Sequence, residues 1–124
     1  MDCQFCDLPG SRVWFDQGTV IACRDAYPVS PGHALIIPKR HVTSLFELVC
    51  EEREDLFQAL QRAKDLLLLE LRPDGFNIGI NDGIAAGQTI FHLHVHLIPR
   101  YQGDSEEPRG GVRWIFPDKA KYWS

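Results

Sequence analysis

No stretch of this chain approaches the ~20 consecutive apolar residues of a membrane span. The opening Met1-Asp2-Cys3-Gln4-Phe5-Cys6 has neither the basic nor the apolar region of a secretory leader. A cytoplasmic protein with no membrane partner is the expectation. Positive charge is scarce as well: 13 Lys and Arg stand against 17 Asp and Glu, for a net charge of −4. Nucleic-acid binding normally needs a clustered basic face. Here the basic residues are scattered, apart from Lys39-Arg40 and a loose set at Arg109, Arg113, Lys119 and Lys121. Nucleic acid is not an expected partner. Internal repeats and low-complexity segments are missing too, and cysteine is limited to Cys3, Cys6, Cys23 and Cys50. In a reducing compartment that set does not read as a disulfide framework, and Cys3-x-x-Cys6 reads as metal-binding or redox. A redox pair wants a strand before it and a helix after it, which this position does not supply. Cys23 and Cys50 are expected to be small buried apolar residues.

With 124 residues, the chain reads as a single domain over 1–124, with a core at about 5–100 and a C-terminal tail at 101–124. Val13-Trp14-Phe15 and Thr19–Cys23 flank Asp16-Gln17-Gly18 and predict a hairpin. A proline-stiffened loop from Asp25 to Gly32 leads into a strand, His33–Ile37, closed by Pro38. Thr43 or Ser44 can cap a first turn at Leu45–Leu48. A long helix then spans about Glu51 to Leu71, with Leu56, Leu60, Ala63, Leu67 and Leu71 facing the core. The block Leu66 to Leu69 widens that apolar face enough for a partner chain. Arg72-Pro73-Asp74-Gly75 stops the helix, and Phe76–Ile80 alternates as a strand. Residues 101–111 are polar and expected to be mobile, while the aromatic tail is suited to docking. Strands, one long helix, then strands again make this an α+β domain, an antiparallel sheet of about five strands with one long helix.

The stretch that organises the rest is Gly87-Gln88-Thr89-Ile90-Phe91-His92-Leu93-His94-Val95-His96-Leu97-Ile98-Pro99-Arg100. In an extended strand, His92, His94 and His96 share one face while Leu93, Val95 and Leu97 share the other. Pro99 is expected to end that strand. Neutral imidazole near pH 7 is both a nucleophile or base and the commonest metal ligand. Neighbours on the face lie ~6.5–7 Å apart, a span that a phosphate can bridge. Gly87, Gln88, Thr89 and Asn81 supply amide, hydroxyl and backbone donors beside it. Taken alone these four also read as ordinary turn residues. A second chemistry stays open: His-x-His can hold a catalytic zinc that activates water. That scheme usually recruits a carboxylate, and the nearest are Asp82 and Asp104.

His92-Leu93-His94-Val95-His96-Leu97-Ile98 resembles the His-x-His-x-His-x-x pattern of the histidine-triad (HIT) superfamily. The resemblance runs from Phe5 to about Arg100. It takes in Asp25 followed eight residues later by His33, Asn81 eleven residues before His92, and the Gly87-Gln88-Thr89 lead-in. It implies a HIT-like fold and a nucleotide hydrolase or nucleotidyl transferase working at the α-phosphate through a covalent nucleotidyl-histidine. By that resemblance His94 is the nucleophile, His96 assists the leaving group, and His33 buttresses the row. Asn81, Gly87, Gln88 and Thr89 hold phosphate, Asp25 takes the ribose hydroxyls, and Phe5 covers a purine base. His96, where the uridylyltransferase branch carries glutamine, favours hydrolysis. The absent basic surface sets aside the DNA-repair branch. Bacterial diadenosine-tetraphosphate hydrolases and phosphoramidase-like members remain as the nearest branches, and both imply a homodimer without an organic cofactor. A nucleotide-binding scaffold with little turnover is the alternative.

Cys3 and Cys6 offer two soft ligands at zinc spacing. Some bacterial HIT proteins bind zinc through such a pair, a histidine in the position of His41, and the first triad histidine. Carried over, the resemblance implies a structural zinc held by Cys3, Cys6, His41 and His92.

Overall fold

The computed structural model describes residues 3–124; Met1 and Asp2, which open the N-terminal stretch discussed above, lie outside the described residues. Five strands form one antiparallel sheet: β1 (Val13–Gln17), β2 (Val20–Arg24), β3 (Ala34–Pro38), β4 (Gly75–Gly79) and β5 (Val95–Arg100). Their order in the sheet is β1-β2-β3-β5-β4. The expected hairpin is present, with Gln17 paired to Val20 across the turn. Gly18 there has φ +62°, and Thr19 donates from its N–H and its hydroxyl to Asp55 of the long helix at 2.8 and 2.7 Å. β3 lies at the centre, between β2 and β5, and all five of its residues are buried.

The long helix α1 (Cys50–Glu70) covers one face of the sheet. A single turn at Leu45–Glu47 precedes it, capped by the Ser44 hydroxyl as expected. Glu52 folds back to accept the Val49 N–H at 3.0 Å and pairs with Arg40 at 2.8 Å. That guanidinium holds the Glu52 carboxyl below its usual range. The buried row of α1 is Glu52, Leu56, Ala59, Ala63 and Leu67. Two expected core residues are corrected: Leu60 packs only partly and Leu71 is 37 % exposed. Ala59 is fully buried in that row instead. The row meets Val20, Ala22, Ala34, Ile36, Val95 and Leu97 from the strands. Each large aliphatic side chain buried there contributes roughly 1.5–3 kcal/mol. Cys23 is buried as expected, but Cys50 is exposed at the first position of α1.

The other face is covered by the N-terminal segment, where Phe5 and Leu8, together with Ile21 of β2, pack on Cys23, Leu35 and Ile37. Here the histidine row differs from a regular strand. β5 begins only at Val95, so His92 and His94 precede it. The alternation nonetheless persists: Leu93, Val95 and Leu97 are buried against α1 while His94 and His96 are half-buried. Pro99 lies inside β5 rather than ending it, because β3 pairs with β5 only as far as Leu97 and needs no N–H from residue 99. The segment after β5 is pinned down. Arg100 forms a bidentate pair with Asp104 at 2.9 and 2.8 Å, and the Tyr101 hydroxyl donates to the Pro31 carbonyl at 2.8 Å. The aromatic tail folds on itself through Arg109 over Trp123 and Arg113 over Tyr122. A short helix there, α2 (Pro117–Ala120), buries Ala120.

Candidate active site and metal centre

The three histidines of the row are divided between two clusters. His92 is fully buried, and its Nε2–H donates to the Pro38 carbonyl at 2.8 Å. That bond puts the free lone pair on Nδ1, which faces Cys3 Sγ at 3.4 Å, Cys6 Sγ at 3.5 Å and His41 Nδ1 at 3.1 Å. Cys6 Sγ lies 3.1 Å from His41 Nδ1. The turn that closes Cys3-x-x-Cys6 is built by Asp7 N–H donating to the Cys3 carbonyl at 3.1 Å, and the Cys6 N–H points at Cys3 Sγ at 3.4 Å. Zinc bonds of ~2.3 Å to sulfur and ~2.0–2.1 Å to nitrogen set tetrahedral ligand atoms ~3.3–3.8 Å apart. The four atoms here lie within 4.8 Å of one another. They fit a closed Cys2His2 centre, with His92 oriented by a carbonyl on its other nitrogen as metal-bound histidines usually are. Burial pushes the His92 imidazole below its ordinary range, which keeps it neutral and able to ligate.

His94 shows the opposite orientation. Its Nδ1–H donates to the His92 carbonyl at 2.9 Å, so the lone pair is on Nε2. The His94 ring centroid lies 5.2 Å from that of His96 and 5.0 Å from that of Phe5, which the Cys3–Cys6 turn carries. His33, just before β3, is buried. Its Nε2 is 2.9 Å from His96 Nδ1 and 3.4 Å from Asp25 Oδ2, while its Nδ1 accepts the Val29 N–H at 3.1 Å. Asp25 Oδ1 accepts the Tyr27 N–H at 2.8 Å. Burial pushes both His33 and His96 below the usual imidazole range, against the opposing pull of the Asp25 charge.

The loop ahead of the row is less open than its composition suggests. Gly87, with φ +94°, ends a short turn, and its N–H donates to Ile84 while that of Gln88 donates to Gly83. Nothing lies within 4 Å of a Cβ built at Gly87, so the positive φ is what requires glycine. The Gln88 side chain is buried: it accepts the Gly83 N–H at 2.9 Å and donates to the Thr43 and Ile90 carbonyls at 3.1 and 3.2 Å. The expectation of free donors at Gly87 and Gln88 is therefore corrected, since both are spent inside the loop. Thr89 and Asn81 are exposed. The Pro38 carbonyl and the Val29 N–H are functional groups that no side-chain pattern could have flagged, whereas the resemblance implies a strand carbonyl that fixes the His94 tautomer, and the His92 carbonyl stands there.

The HIT domain family model matches residues 9–103. This chain belongs to the HIT family. It is 38 % identical over 109 residues to "Protein hit" of Bacillus subtilis, covering 83 % of this chain and 74 % of that one. It is 39 % identical over 98 residues to the asymmetrical bis(5'-nucleosyl)-tetraphosphatase of Schizosaccharomyces pombe, covering 79 % of this chain and 54 % of that protein. The chain thus spans about half of the yeast enzyme's length. Among solved structures, a zinc-bound histidine triad family protein from Mycobacterium smegmatis superposes with a TM-score of 0.74 at 37 % identity, over 86 % of this chain and 81 % of that one.

Proposed function

We propose that this HIT protein hydrolyses adenine-type nucleotides at the α-phosphate, taking dinucleoside polyphosphates or nucleoside phosphoramidates through a nucleotidyl-histidine intermediate. The observation that carries this reading is the His94 Nδ1–H bond to the His92 carbonyl, which leaves Nε2 as a free lone pair beside His96. In this reading Nε2 attacks the α-phosphorus, and the bond to the leaving group breaks with its electron pair going to that group. His96 offers a hydrogen bond to the departing atom, which takes up a proton from solvent. Water then attacks the phosphorus, the phosphorus–nitrogen bond breaks, and the mononucleotide leaves. The proton released in this second step balances the one taken up in the first.

Thr89 and Asn81, both exposed, contact phosphate in this scheme, and Gln88 with Gly87 shape the loop that leads into the row. Asp25 retains a second lone pair on each oxygen for the ribose hydroxyls, and Phe5 covers the base. Cys3, Cys6, His41 and His92 hold a structural zinc, in line with the zinc-bound mycobacterial relative. When bound, that ion supplies cross-linking of the N-terminal turn to the row and no chemistry at phosphorus. A reducing cytoplasm suits those thiolates. A second copy of the chain is the proposed partner, supported by exposed Phe57 and Leu68 on α1 and by β4 standing at the sheet edge. Sedimentation against the 14.1 kDa protomer mass checks it.

The test is release of AMP from diadenosine tetraphosphate and from an adenosine phosphoramidate by the wild type. Turnover of either substrate supports the reading, and the faster one identifies the leaving-group class. Tight AMP binding with no turnover replaces it with a nucleotide-binding module.

A further inference from the structure

The loop between β2 and β3 places one backbone amide where it governs the proton positions of the site. Val29 N–H donates to His33 Nδ1 at 3.1 Å. A neutral imidazole carries one N–H, so His33 must carry it on Nε2. That Nε2–H faces His96 Nδ1 at 2.9 Å, with Asp25 Oδ2 as a second acceptor at 3.4 Å. His96 accepts on Nδ1 and therefore carries its own proton on Nε2. Its neighbour His94 has the opposite tautomer, because the His92 carbonyl takes the Nδ1–H.

We propose that the Val29 amide and His33 are positioning groups that lock His96 as an Nε2–H donor beside the Nε2 lone pair of His94. One backbone N–H and one backbone C=O thus give adjacent, chemically identical side chains complementary tasks. The consequence for catalysis rests on the nucleotidyl-transfer reading; the tautomers themselves do not. The loop is built to hold this amide in place. Asp25 N–H donates to the His33 carbonyl at 2.9 Å, His33 N–H to the Ser30 carbonyl at 3.1 Å, and the Ser30 hydroxyl to the Pro99 carbonyl of β5 at 2.8 Å.

The same lock argues against a cation at Asp25, His33 and His96, although their ligand atoms lie within 4.8 Å of one another. A metal on His33 Nε2 would drive the proton to Nδ1, against the Val29 N–H.

The test is 15N-resolved imidazole NMR of the full chain near pH 7.5, beside the same spectra of Val29→Pro and Val29→Ala. The Val29 side chain is exposed, so proline there deletes the N–H without opening the core. The wild type should show His33 and His96 protonated on Nε2 and His94 on Nδ1. Val29→Pro should mix the tautomers of His33 and His96 and lower kcat by about 5–20-fold with KM within about twofold, the loss expected for one misplaced hydrogen bond. Val29→Ala, which keeps the N–H, should keep the wild-type tautomers. A wild-type His96 protonated on Nδ1, or tautomers unmoved in a folded Val29→Pro, overturns the proposal. Should Val29→Pro not fold, the wild-type spectrum alone decides. The expected tautomers in a protein that turns over no nucleotide would uphold the lock and sink the hydrolase reading.

Discussion

His92 and His94 are two residues apart, yet they use their rings in opposite senses. His92 gives its Nε2–H to the Pro38 carbonyl and turns Nδ1 toward two thiols and His41. His94 gives its Nδ1–H to the His92 carbonyl and keeps its lone pair on Nε2. Neither difference lies in the side chain. Which carbonyl each ring meets decides which nitrogen is free, and so whether the imidazole serves a buried binding centre or an open reactive one. Burial follows the same division: His92 is sealed, while His94 and His96 are half-open.

Removing a ligand or ring on one side should act mainly on that side. The largest effect is expected for His94→Ala: a fall in AMP release of at least ~10³-fold, as when a covalent catalyst loses its nucleophile. Metal content and thermal stability should stay at wild-type levels. A mutant that retains its rate would remove His94 as nucleophile and bring a catalytic metal back into consideration. Cys6→Ser should do the reverse. It should abolish bound zinc, measured by elemental analysis on protein without a histidine tag, and lower Tm by about 5–15 °C. Its loss of kcat should be smaller, about tenfold, because the turn carrying Phe5 loosens against His94 while the His94 tautomer survives. No metal in either wild type or mutant would reduce the cluster to two thiols and two histidines. Third is Gln88→Ala, which strands two carbonyls and one N–H that its side chain now satisfies. About 1–3 kcal/mol of stability should go, seen as a lower urea midpoint, with zinc retained. An unchanged midpoint would show that water replaces the amide without cost.

Much of this was legible in the residues because periodicity is a local property. Alternation from Leu93 to Leu97 placed the two faces of the row, and the flanking turn residues bounded the hairpin and α1. What escaped depends on tertiary approach. Ala59 is fully buried and Leu60 only partly so, and helical spacing alone allows either. Cys50 is exposed at the first position of α1, off the buried row that starts at Glu52, which composition does not record. Gln88 looked like a ligand donor since its amide is a letter in the sequence; the carbonyls and N–H that consume it are common to every residue. The same blindness hid the Val29 amide and the Pro38 carbonyl.

The smallest expected effect concerns acid. Burial holds the His33 and His96 imidazoles below their ordinary range, with the Asp25 charge resisting. The unfolded chain takes up protons as pH falls through ~6.5, while the folded chain does not until lower pH. Stability present above ~6.5 is therefore lost as pH drops below it. The urea midpoint should decline by a few tenths of a molar between pH 7.5 and 5.5, above the range where most carboxylates titrate. His33→Gln removes one of the three imidazoles that burial depresses, His92 being the third, and should flatten part of that decline, although its midpoint at pH 7.5 is itself lower because His96 loses a partner. A wild-type midpoint that holds steady to pH 5.5 would mean that the Asp25 charge offsets burial, so that the pair takes up a proton from solvent inside the fold. His96 would then be an imidazolium with both nitrogens donating, and the complementary assignment of His94 and His96 would hold only at higher pH.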